Sequence, residues 1–334
     1  MRHRRIAIAA ILLVAASVGV SAQTIRHEGS ISLPVGVSVA APSVDSPAGA
    51  PAAVSPNGSF VAAVCSDNVL RLWALPSGEL VHTRATKADP FTELQFSNDG
   101  RLLAIATQSG ATEVWDVSSW KVQQQVAASS PVYFLAISPD NHLLAGATDY
   151  DTEIWNLPTQ KRAAVLHAPF DCYCLNALAF SPDGTMLASA DGDTAIRVYD
   201  AHTGVLRATV TDLLLESFAL DFSPDGKSLL VGGADRAISV IDPMNGKIVR
   251  ALPKQSGVPK ALLVSPDGKQ AAAMYPLPDR FNQLSVVLVW DLGAQTVRAR
   301  FEKPGVFVIG GAFAGDRFFV IGNSGGELSI WSVK

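Results

Sequence analysis

Three groupings of residues have types and spacings that suit chemistry. Cys172 and Cys174 stand one residue apart, with His167 shortly before them. Such a set suggests a metal site or a redox disulfide. Zinc, however, ordinarily takes four ligands from pairs spaced more widely than this, and only three candidates are present. A disulfide across one intervening residue needs a closer Cα approach than an extended strand gives. Incidental thiols or a strained local disulfide remain. The third cysteine, Cys65, lies in an apolar run and reads as core. The acidic pairs Asp149/Asp151 and Asp191/Asp193 have the composition of a cation site or of a general acid and base. Turn-forming aspartates explain them without a further assumption. The chain has no glycine-rich phosphate loop, no Ser-His-Asp arrangement and no Cys-x-x-Cys-His. The expectation is therefore a non-catalytic chain with no cofactor and no metal.

The bulk composition narrows the partners. Of 334 residues, 48% are hydrophobic and 17% charged, with a net charge of −4. That is ample apolar material for a large core, and no cationic balance points to nucleic acid. Arg2, Arg4 and Arg5 precede an uncharged run from Ile6 to Val20, and Val20-Ser21-Ala22 supplies small residues for cleavage. Residues 1–22 thus read as a secretory signal, its apolar run of 15 residues short against the roughly 20 of a membrane-spanning helix. The expected location is periplasmic or secreted, with no stable membrane span. Removing three Arg would leave 23 basic against 30 acidic residues, net −7.

The elements that must position any site are set by a repeat. Ser-Pro-Asp-Gly occurs at Ser181, Ser223 and Ser265, with variants beginning at Ser55, Ser97 and Ser138 and a degenerate copy at Ala314. Successive starts lie 42, 41, 43, 42, 42 and 49 residues apart. Pro presets the first corner of a type I turn, Asp suits the second, and Gly takes the left-handed closing position of a three-residue hairpin. A second marker follows 17 or 18 residues later, as at Leu72-Trp73, Trp115-Asp116 and Ile154-Trp155; in the sixth repeat, Trp290-Asp291 is delayed by seven. Each unit reads as four antiparallel strands, a to d, with the Ser-Pro-Asp-Gly turn joining a to b. Helix is not expected.

Four-strand units of this period, with Trp-Asp closing the third strand, resemble the WD-repeat family. The resemblance implies an all-β, seven-bladed β-propeller of four-stranded antiparallel blades, forming a single domain over residues 23–334. True Trp-Asp survives only at residues 115–116 and 290–291, and the family's Gly-His before strand a is missing. Asp67, Asp193 and Asp235 stand where the family's structural aspartate tightens the b–c turn. The chain stops after strand c of the last repeat, and the segment Thr24 to Pro34 resembles a strand d. It is expected to complete the last blade.

In such a ring the b–c and d–a connections share one face, here called the top. Two departures from the period fall there. The first is read as a long b–c loop, Met274 to Leu284, carrying Tyr275, Arg280 and Phe281, residue types enriched at interface hot spots. The bland alternative is a neutral insertion. The second is the connection holding Phe170 and Tyr173. Where strand a enters the channel, Glu93, Asn176, Glu216 and Lys260 are the polar residues. Propeller lactonases and dehydrogenases place ligands there, but Phe134, Ala219, Ala261 and Gly310 at other blades make a poor ligand ring. The expected function, carried by the family resemblance, is a protein- or peptide-binding scaffold acting as a monomer. Tyr275, Arg280, Phe281, Phe170, Tyr173, Glu216 and Lys260 are its candidate contacts. The alternatives are a lactonase-like or quinoprotein-like propeller enzyme and a carbohydrate- or envelope-binding module.

Overall fold

The repeated serine organises each a–b turn more tightly than turn propensity alone requires. The side-chain oxygen of Ser181 accepts the Met186 N–H at 2.9 Å and donates to Asp183 at 2.6 Å. The same pair of bonds recurs at Ser97 (from Leu102, to Asp99), Ser138 (from Leu143, to Asp140) and Ser265 (from Gln270, to Asp267). Ser55, Ser97, Ser138, Ser181 and Ser265 are fully buried, so each hydroxyl satisfies a strand N–H that water does not reach. The closing residue is left-handed throughout: Gly184 has φ of 70°, and Asn141, which replaces glycine in the third unit, has φ of 61°.

The computed structural model describes residues 25–39, 52–85, 89–167, 175–211, 216–277, 280–315, 317–323 and 327–333. Within them every regular element is a strand, and the strands form seven four-stranded antiparallel blades. Blade four is typical: Leu175–Phe180, Met186–Asp191, Ile196–Asp200 and Leu206–Val210 pair in that order. Strand b is buried along its whole length there, whereas the outermost strand d is mostly exposed. Neighbouring blades bury their facing side chains together. Met186, Ala188 and Val198 of blade four pack on Leu220, Phe222 and Val231 of blade five. Each such aliphatic side chain contributes about 1.5–3 kcal/mol when fully buried.

Ring closure follows the expected route. Ile25–Ser32 pairs antiparallel with Glu327–Val333, from Ile25 opposite Val333 to Ser32 opposite Glu327. Blade seven is therefore Phe307–Ala314, Arg317–Asn323, Glu327–Val333 and this N-terminal strand. Ile31 sits in one core cluster with Val61, Trp73 and Ile330, so the closing strand also binds blade seven to blade one.

Blade six departs from expectation. Met274 to Leu284 is not a loop. Strands b and c run on as Gln270–Leu277 and Arg280–Asp291, and pairing continues to Leu277 opposite Arg280. Leu284 also pairs with Val308 of blade seven, joining the two blades through the backbone.

The b–c turns are closed as expected. Asp67, Asp193 and Asp235 accept the N–H two residues on, at 3.2, 3.2 and 3.1 Å. In blades one and four the aspartate also holds an arginine of strand c, Arg71 at 2.8 Å and Arg197 at 3.0 Å.

Candidate functional site

In blades two to seven, strand a carries an extra residue at its top end. In blade two, Phe91 pairs with Thr107 and Glu93 with the adjacent Ala106, leaving Thr92 without a partner across the ladder. The same shift leaves out Asn176, Phe218 and Ile309 in blades four, five and seven. In blades three and six, Tyr133 and Lys260 send their N–H to Ala147 and Met274, the residues already paired with Phe134 and Ala261. A bulge of this kind re-aims the side chain of the extra residue. Here it brings bulge residues against the neighbouring blade. The Thr92 hydroxyl donates to the Val132 carbonyl at 2.6 Å, and the Lys260 ammonium lies 3.2 Å from the centre of the Phe218 ring.

Lys260 is the most unusual of these groups. It is half-buried, and burial pulls its pKa below the ordinary lysine value, opposed by the nearby Glu216 carboxylate. Glu216 is exposed, and among the described residues no carboxylate comes within 4 Å of the ammonium. The Phe218 ring face compensates electrostatically for part of the lost water.

Further along strand a, Glu93 and Asp221 are half-buried. Burial pushes the Glu93 carboxyl up to about 8, with only the Leu94 N–H opposing. Asp221 is pushed up to about 7 by burial, against the Val264 and Phe222 N–H groups. The Val264 bond, 2.8 Å long, ties blade five to blade six. Asp221, Phe218 and the whole set of bulges escape sequence reading. Asp221 was visible only as a polar residue at a strand position that is alanine or leucine in most other repeats.

The residues singled out in the sequence separate. Asn176 and Lys260 share the bulge position, Glu93 lies one residue later along its strand, and Glu216 precedes its strand. Tyr275 is not on the surface. It is 3% exposed and packs with Leu288 and Trp290, because the strand continues past the point where a loop was expected. Its burial pushes the phenol up to about 12. Arg280 opens strand c of blade six and Phe281 follows it. Phe170, Tyr173, Cys172 and Cys174 lie outside the described residues, as do residues 1–22. Cys65 is fully buried.

Asp191 and Asp193 both pair with Arg197, whose side chain is 12% exposed. That contact lowers the Asp193 pKa, whereas burial raises that of Asp191 against it. Asp151 contacts the His167 imidazole at 2.8 Å. Asp149 keeps one buried oxygen without a hydrogen bond. Among the described residues no three His, Cys, Asp or Glu side chains are grouped to hold a metal.

Comparison with known proteins bears on the repeat directly. The family model described as "WD domain, G-beta repeat" matches residues 52–74, 161–200 and 208–242. A WD repeat-containing protein, SL1-17 of Schistosoma mansoni, is 31% identical over 46% of this chain and 50% of its own length. The COMPASS component SWD3 of Saccharomyces cerevisiae is 26% identical over 48% of this chain and 51% of its own. Eukaryotic translation initiation factor 3 subunit I of Bombyx mori is 25% identical over 38% and 43%. The chain thus spans about half the length of these relatives, or less. A chain from a crystal structure of a mitotic checkpoint complex superposes over 99% of this chain and 97% of its own, at a TM-score of 0.75 and 19% identity. These relatives correct the expectation of a periplasmic or secreted protein. They are eukaryotic, and a translation initiation factor subunit and a COMPASS component point to an intracellular location instead. The matched repeats, the related sequences and the ring of seven blades together show WD repeats built into a seven-bladed β-propeller, similar in sequence to WD-repeat proteins.

Proposed function

We propose that the chain is a non-catalytic scaffold, monomeric on its own, that binds a protein or peptide on its top face. The observation that carries this reading is the set of bulge residues at the top of strand a. They interrupt the residue-by-residue register of the ladders, so blade pairing does not dictate their side chains, and they lie next to the d–a connections that a rigid frame holds out. Two relatives are by name parts of larger assemblies, a COMPASS component and an initiation factor subunit, which supports a protein partner here. Arg280 and Phe281 on the extended hairpin of blade six remain candidate contacts; Tyr275, held in the core, does not.

Lysine positions make the two faces separable by experiment. Lys254, Lys260 and Lys303 belong to d–a connections on the top, whereas Lys227 and Lys269 follow the a–b turns on the opposite face. Amine cross-linking of a captured complex should join the partner to the first set. Cross-links confined to Lys227 and Lys269 would sink the reading. Replacing Arg280 and Phe281 together by Ala should weaken capture at least several-fold without lowering the melting temperature.

A further inference from the structure

We infer that Lys260 is the anchor for one carboxylate of the bound partner, so that the top face selects a peptide segment carrying Asp or Glu at the channel mouth. This rests on the top face being the binding face, and adds the chemistry that it reads.

Three observations carry it. The ammonium has already given up part of its water, since Lys260 is half-buried and its Nζ rests 3.2 Å from the Phe218 ring centre. An incoming anion therefore meets a cation that is partly desolvated and fixed in place, which removes costs that a mobile surface lysine would still impose. Second, among the described residues no carboxylate lies within ion-pair distance of the ammonium. The carboxylate that acts on it, from Glu216, is exposed and beyond ion-pair distance. Two described arginines of strand c beside the top turns differ: Arg71 and Arg197 are each bound to aspartates of the adjoining turn. Third, the backbone N–H of Lys260 is committed to the Met274 carbonyl at 2.9 Å, which holds the residue at the bulge and turns its side chain away from the ladder.

The neighbouring charge also limits the ligand. Glu216 repels a second negative charge brought to the same place, so a carboxylate with one charge fits better than a phosphate with about two. The aromatic ring beneath Lys260 supplies an apolar surface for the methylene groups of a Glu or Asp side chain.

The test uses the full chain and a phage-displayed library of random twelve-residue peptides. Selected peptides are resynthesised with each acid replaced by its amide and titrated against the native protein, Lys260→Gln and Glu216→Gln. Binding by the native protein should fall about tenfold or more when one particular acid becomes an amide, the scale of a charge-assisted hydrogen bond. Lys260→Gln should erase that difference, and Glu216→Gln should strengthen the acidic peptide two- to threefold. Phosphoserine at the same position should bind less well than Glu. Peptides that bind at the top face with no acid preference, or with one that survives in Lys260→Gln, would overturn the inference while leaving the scaffold reading intact. Preference for phosphoserine would overturn it too. Failure to select any peptide would count against both. Should Lys260→Gln prove unstable, the Glu216→Gln titration decides alone, since unchanged or weaker binding to it contradicts the inference.

Discussion

The a–b turns and the bulges of strand a stand at opposite ends of the same strands and obey opposite rules. At six of the seven turns one solution recurs, a serine hydroxyl, an aspartate or asparagine to receive its proton, and a left-handed closing residue; Ala314 opens the seventh. At the bulges, no two residues among Thr92, Tyr133, Asn176, Phe218, Lys260 and Ile309 are alike. The serine turns are uniform because each must satisfy the same strand N–H. The bulge residues vary because the register of the ladder does not fix their side chains. Repetition in this ring marks where stability is made, and irregularity marks the face proposed here for binding.

Four substitutions break or sharpen that contrast. The largest effect is expected from Arg197→Ala, which leaves Asp191 and Asp193 enclosed without their cation. It should cost about 3–5 kcal/mol in urea denaturation. Arg197 lies on the top face, so this variant asks whether paired charges there belong to the frame. A loss under 1 kcal/mol would remove it from the frame. Ser181→Ala comes next. It strips the acceptor from the buried Met186 N–H and should cost about 1–3 kcal/mol without altering peptide binding. A change in binding at constant stability would erase the distinction between the faces.

Glu93→Gln should act in the opposite direction. The folded-state pKa of Glu93, about 8, stands above the ordinary value of 4.5, so the folded chain keeps a proton that the unfolded chain has lost. The resulting stability is fully present below the ordinary pKa and disappears as pH rises through about 8. The variant should therefore match the native protein near pH 4–5 and exceed it by roughly 1–3 kcal/mol at pH 9, read as a melting-temperature difference that grows with pH. A constant difference would show that Glu93 titrates normally. Lys260→Gln should have the smallest effect on stability, under about 1 kcal/mol, because losing the ring contact is offset by relief of a buried charge. A larger loss would move Lys260 from the binding set into the frame.

The fold was legible because its punctuation is chemical. Ser-Pro-Asp-Gly names its own turn, and three exact copies with three close variants, 41 to 43 residues apart, leave little freedom in how the chain is divided. The closing strand was legible from a count, a last repeat one strand short with a strand-like segment before the first. The mouth was not. One extra residue in a strand buried on both sides leaves the run of apolar residues unbroken, so Phe218 reads as one more strand position. Glu93 and Lys260 were grouped by type, although the ladder sets them one residue apart. Tyr275 was misplaced for a different reason. Prolines and charges from Pro276 to Arg280 look like a loop, but strands b and c simply run on before turning, and the tyrosine that precedes them stays in the core. The aspartates of the b–c turns were readable as turn formers, but not that Arg197 would hold two of them at once.

The strand Ile25–Ser32 finds its partner roughly three hundred residues later, at Glu327–Val333. Every other blade can assemble from neighbours close in sequence, with short loops to close. This one pairing cannot form until the final repeat exists, so the first segment of the ring is the last to dock. The same order holds in reverse. Peeling away that single strand opens a free edge on blade seven and loosens its grip on blade one, giving the circle one defined seam. Pulled or heated, the ring should part there before any individual blade comes undone.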